Sequence, residues 1–198
     1  INYDKLKKIS RKIANTINKG KNVRVKTKLG TDISFSINGR KAFGEDSGLF
    51  TKKGSFGNLP TGEIFVAPVE GTANGIFIVD ASFAGIGKIK RPLQVYVENG
   101  HAIIFKGKGA RKLEKVLDSV GKQARNVAEF GIGTNEKAII TGNILEDEKV
   151  VGTCHIALGN NAGFGGKVNV QLHLDGIIKK PTIWVDDKRV VYNGKLII

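Results

Sequence analysis

Residues 171–176 read QLHLDG. In a strand, residues two apart share a face. Val168, Val170, Leu172 and Leu174 then form an apolar row, while Asn169, Gln171, His173 and Asp175 point the other way. An imidazole and a carboxylate side by side on a rigid strand suit a metal ion, and equally a plain His–Asp hydrogen bond. The strand reading makes this a β-rich chain with chemistry on one sheet face.

A second histidine lies in VVGTCHIALG, residues 150–159, where Val151, Thr153, His155 and Ala157 share a face. If this strand neighbours a strand over 167–178, His155, His173 and Asp175 converge, and two imidazoles with a carboxylate complete a set for zinc, cobalt, manganese or ferrous iron. The competing reading is two half-buried histidines held by local acids. Two further acids stand in surroundings that do not suit a casual surface charge. Glu63 follows the turn NLPTG and opens EIFVAPV. Glu129, inside VAEFGIGTN, is read at the end of an amphipathic helix, near the negative pole of its dipole. Glu146, Asp147 and Glu148 read as a solvated acidic loop, and His101 as a surface residue past the Asn99–Gly100 turn.

Along the rest of the chain, Leu6, Ile9, Ile13 and Ile17 give a helix over 3–18 with Gly20 as its stop. A hairpin pairs Val23–Leu29 with Ile33–Ile37, and residues 39–62 are loop-like. Strands are expected at 63–69, 76–82, 93–97, 101–106, 149–158 and 167–178, with a second helix over 109–127. A terminal meander turns at Asp186–Asp187 and Asn193–Gly194 and places Trp184 in the core. These periods define an α+β class, mostly antiparallel sheet with two main helices, in a single domain over 1–198.

The composition is that of a soluble globular protein of 198 residues, 40% hydrophobic and 25% charged. No apolar run approaches the about 20 residues of a membrane span, so no membrane association is expected. The single cysteine, Cys154, fits a reducing, cytoplasmic setting. The chain holds no methionine, which suggests a fragment or a processed piece. The net charge is +14, and ten of the 32 basic residues precede Gly30. They are dispersed and lack aromatic interleaving, so no specific nucleic-acid partner is expected. A homo-oligomer, such as a dimer, is.

Four motifs in order, GNLPTGEIFVAP, EFGIGTN, GTCHIALG and HLD, resemble the thermophilic aminopeptidase T family, which includes aminopeptidase S and PepS. The similarity runs from about Gly39 to the C-terminus. The resemblance implies a metal-dependent aminopeptidase that removes N-terminal residues from peptides at a two-metal site of zinc, cobalt or magnesium. It implies the ligands Glu63, Glu129, His155, His173 and Asp175, with Glu63 or Glu129 as proton shuttle. Two departures stand out. The family has an N-terminal domain with no counterpart here, and Asn160–Phe164 replaces a stretch that carries a tyrosine in the aminopeptidases.

The sequence is also similar to the dihydroxypyridine dioxygenases, which share this fold family and hold one ferrous iron with two histidines and one carboxylate. That sets an alternative reading, a mononuclear ring-cleaving dioxygenase. A third is a fragment that binds metal without activity. Three carboxylates beside two histidines favour the paired hydrolytic site, because two cations need several anionic ligands.

Overall fold

In a computed structural model, residues 1–44, 48, 53–55 and 57–197 are described. Helix α1 (Tyr3–Lys19) opens the chain, capped by the Asn2 side chain on the Lys5 amide. It buries Leu6, Ile13, Ala14 and Ile17, one stripe at helical spacing. The strands that follow are β1 (Asn22–Lys26), β2 (Asp32–Ser36), β3 (Glu63–Val66), β4 (Asn74–Val79), β5 (Ser82–Phe83), β6 (Gly87–Lys88), β7 (Leu93–Glu98) and β8 (His101–Lys106). Helix α2 (Ala110–Val120) leads through a 3-10 turn at Lys122–Arg125 into β9 (Val127–Gly133). The short helix α3 (Ile144–Asp147) precedes β10 (Thr153–Gly159), β11 (His173–Lys179), β12 (Thr182–Val185), β13 (Lys188–Tyr192) and β14 (Lys195–Leu196).

The strands form two antiparallel sheets. One has eight strands in the order β14-β13-β12-β1-β2-β4-β7-β8, the other six in the order β3-β9-β10-β11-β5-β6. The α+β class therefore holds. Alternation assigns the faces of the six-stranded sheet. Ile64, Val66, Phe130, Ile132, Cys154, Ile156, Leu158 and Ile178 join the main apolar core with Val23, Val25, Ile33 and Phe35 of the eight-stranded sheet. Phe130 and Phe35 meet across this seam at 5.3 Å between ring centroids. Every other residue of β3, β9, β10 and β11 is thereby turned to the opposite face, where the chemistry lies.

Several boundaries differ from the sequence reading, each for a local reason. The helix expected over 109–127 stops at Val120, because Gly121 takes a φ of 113° and the chain turns through Lys122–Arg125. Glu129 consequently sits inside β9, not at a helix terminus. The strand expected over 167–178 begins only at His173, since the backbone around Val168 bonds back to Asn161 and Ala162. The strand at 149–158 starts at Thr153, after Gly152 at a φ of 80°. Trp184 is half-buried on β12, not core. Of the loop expected over 39–62, residues 45–47, 49–52 and 56 lie outside the described residues, and Phe43 bridges to Phe65. Among the described residues, no helix is long and apolar enough to cross a membrane.

Phe130 is fully buried where the two sheets meet. Phe130→Ala is expected to cost about 3–5 kcal/mol, as for other buried aromatics, read from the urea midpoint at constant m-value.

Candidate metal centre

Pairing in the six-stranded sheet brings the acids and histidines to one face. Glu129 is opposite Ala157, His155 is opposite Gly131, and Glu63 is opposite Gly133. On the other side of β10, Ala157 is opposite Asp175 and Gly159 is opposite His173. Five candidate ligands from four strands thus share one surface, with glycine or alanine between them. The small residues have a steric cause. A Cβ on Gly131 would lie 2.0 Å from Nε2 of His155, and one on Gly133 would lie 2.1 Å from the Val150 carbonyl. The motif EFGIG is the imprint of an imidazole and a neighbouring backbone crossing the sheet.

Glu129 is the centre of the cluster. Its Oε1 accepts from His155 Nε2 at 3.1 Å, and its Oε2 lies 3.3 Å from His173 Nε2. Glu63 Oε2 is 3.4 Å from His155 Nε2, and Asp175 Oδ1 is 3.5 Å from His173 Nε2. Two groups result, Glu63–Glu129–His155 and Glu129–His173–Asp175, each with ligand atoms within 4.8 Å of one another. Every residue singled out as a ligand in the sequence is in one group or the other. His101 is in neither; it remains at its hairpin turn with Nδ1 3.0 Å from the Asn99 carbonyl.

Histidine geometry favours a cation. The Asn160 carbonyl lies 2.8 Å from Nδ1 of His173. A carbonyl only accepts, so Nδ1 carries the hydrogen and Nε2 faces Glu129 and Asp175, the arrangement by which a second partner orients a ligating imidazole. Oδ1 of Asp175 is buried without a hydrogen bond on the same side. Two carboxylates and one imidazole form a donor set for a divalent ion of the first transition row. This cluster can hold a metal ion.

Electrostatics bind the cluster together. Burial works against the Glu129 carboxylate, yet hydrogen bonds from His155 and His173 outweigh it and hold Glu129 down at about 2. Burial also disfavours charge on both rings, but His155 is raised to about 9 by Glu129 and Glu63, and His173 to about 11 by Asp175 and Glu129. Glu63 is different: burial dominates and pushes it up to about 7.

Sequence reading missed two parts of the site. Asp147 and Glu148 are not solvated. Asp147 is buried and caps the preceding turn through the amides of Thr141 and Gly142. Glu148 pairs with Lys149, which is 1% exposed and also reaches Glu63 Oε1 at 3.0 Å. Only Glu146 fits its earlier description in part, being half-buried beside the Ile139 amide. The second omission is an aromatic wall. Phe164 stands edge-on to His173 at 5.9 Å and to Phe65 at 5.5 Å, and Phe43 stacks on Phe65 at 5.7 Å. A lysine inside a charged run and phenylalanines from three segments give no local pattern to find. The face alternation of EIFV, which points Phe65 the same way as Glu63, was the one available signal.

Comparison with known proteins shows the family. The family model NicX, 2,5-dihydroxypyridine 5,6-dioxygenase, matches residues 2–198. Among solved structures, 2,5-dihydroxypyridine dioxygenase from Pseudomonas putida superposes with a TM-score of 0.86 at 20% identity. AmpT from Thermus thermophilus superposes with a TM-score of 0.78 at 21% identity. Both cover all of this chain, which spans 60% and 56% of their respective lengths. No curated protein sequence matches. The protease and hydrolase reading of the motifs is thereby corrected: the family model that spans the chain is that of a dioxygenase. The likeness to AmpT at this identity is a likeness of fold.

Two substitutions probe this geometry. Lys149→Met leaves Glu63 and Glu148 buried without their cation and is expected to destabilise by about 3–5 kcal/mol in urea unfolding. Gly131→Ala drives a methyl into the His155 ring, so the rise in melting temperature produced by a divalent ion should shrink in a thermal scan. An undiminished rise would separate His155 from the ion site.

Proposed function

Because the chain belongs to the NicX, 2,5-dihydroxypyridine 5,6-dioxygenase family, we propose that it forms the metal-binding portion of a ring-cleaving dioxygenase acting on a hydroxylated aromatic heterocycle. The observation that carries this reading is the Glu129–His173–Asp175 group on a partly open face, beside an aromatic wall. The proposed cofactor is one ferrous ion held by those three side chains. When bound, such an ion supplies the one-electron chemistry by which dioxygen can react with a ring.

The dioxygenase resemblance implies two histidines and one carboxylate, whereas each group here has one histidine and two carboxylates. His173 is the ligand in this reading because its side chain keeps 30% exposure and opens toward substrate, while His155 is fully enclosed. His155 acts through Glu129, donating from Nε2 to Oε1 and leaving Oε2 directed toward His173. The other group already has a cation, since Lys149 pairs with Glu63. A single metal therefore suffices, contrary to the paired site that the count of carboxylates had favoured.

The remaining residues bind and move protons. Phe43, Phe65 and Phe164 offer apolar ring faces and edges that take up a flat substrate and keep water from it. Glu63, raised to about 7, is suited to take a proton at Oε2 from a ring hydroxyl, since a base works best near the operating pH.

Loading the chain anaerobically with ferrous iron, adding 2,5-dihydroxypyridine and admitting oxygen tests this directly. Oxygen and substrate should be consumed in equal amounts, and Asp175→Asn should reduce the rate by at least about a hundredfold. No oxygen uptake by the iron-loaded chain would overturn the proposal.

A further inference from the structure

The loop between β10 and β11 touches the site twice, through the Asn160 carbonyl on His173 and through the Phe164 ring. It has no strand pairing of its own over 160–172. Its shape depends on Asn161, whose side chain is fully buried. Oδ1 of Asn161 accepts from the Val168 amide at 2.9 Å, closing the loop, and Nδ2 donates to Glu70 Oε1 at 3.0 Å. The same Glu70 oxygen accepts from the Lys167 amide at 2.7 Å, and the other glutamate oxygen pairs with Arg40. Gly166 is confined here because a Cβ would lie 1.9 Å from Cγ of Asn161.

This network has features of a device and not of casual surface pairing. Arg40 and Glu70 keep only 11% and 22% side-chain exposure, so their attraction is less screened than that of an exposed pair. Glu70 follows β3, the strand that carries Glu63 and Phe65. The network thus ties the loop that holds His173 and Phe164 to the connection that follows β3. Building on the proposed ion at Glu129, His173 and Asp175, we propose that Glu70 and Asn161 are positioning residues. They fix the Asn160 carbonyl and Phe164, and through these the orientation of the His173 imidazole.

The test is a Co(II) titration of the full chain and of Glu70→Ala, Glu70→Gln and Asn161→Ala, recording affinity and ligand-field absorption. Losing a partner that orients a ligand weakens metal binding by about 10–100-fold, and Glu70→Ala and Asn161→Ala should fall in that range with an altered spectrum. Glu70→Gln should recover part of the affinity, because its amide oxygen still accepts from Asn161 and Lys167 while its NH2 group no longer accepts from Arg40. Co(II) affinity and spectrum unchanged in Glu70→Ala, even with a lower melting temperature, would overturn this inference alone. Failure of the unaltered chain to take up Co(II) would overturn the metal reading as well.

Discussion

A carboxylate removed from water must be matched by donors or cations, or it is several kcal/mol out of balance. Glu129, 7% exposed in the second strand of the six-stranded sheet, is matched by an imidazole on each oxygen. Much of the outer face of that sheet follows from this arrangement. The neighbour of the His155 ring must be small, which accounts for Gly131. The strand parity that aims these groups outward aims Phe130, Ile132, Ile156 and Leu158 into the core. Site and core are the two faces of the same strands.

Period-two alternation in the sequence is enough to find β10 and β11, though not where either begins, and with them His155, His173 and Asp175. Glu63 was found from its setting after a tight turn. For Glu129 the amphipathic pattern continues past Gly121 and predicts a helix end, whereas the residue lies inside β9. What stops the helix is a backbone conformation, which apolar spacing does not encode. Lys149 was missed because its burial depends on Glu63, 86 positions earlier in the chain, and a run of four charged residues ordinarily faces water. In the sequence Phe164 marks only a stretch without a tyrosine; its contact with His173 arises from loop closure around Asn161.

The likeness to both 2,5-dihydroxypyridine dioxygenase and AmpT is a likeness of fold, and a fold leaves its chemistry to details of the site. Here the details that bear on the choice are electrostatic and apolar. Lys149 places a positive charge beside Glu63, so one half of the anionic cluster is balanced from within. Phe43, Phe65 and Phe164 give the open half an aromatic lining, which complements a flat ring more naturally than a peptide backbone with its polar groups.

The central claim is that the cluster is organised around one ion at Glu129, His173 and Asp175. Anomalous diffraction at the iron edge, from crystals of the chain grown anaerobically with ferrous iron, measures this most directly. The account predicts a single peak at about 2.0–2.2 Å from a carboxylate oxygen of Glu129, Nε2 of His173 and a carboxylate oxygen of Asp175, the bond lengths typical of such donors. A second peak between Glu63 and His155, or a peak remote from His173, would contradict it.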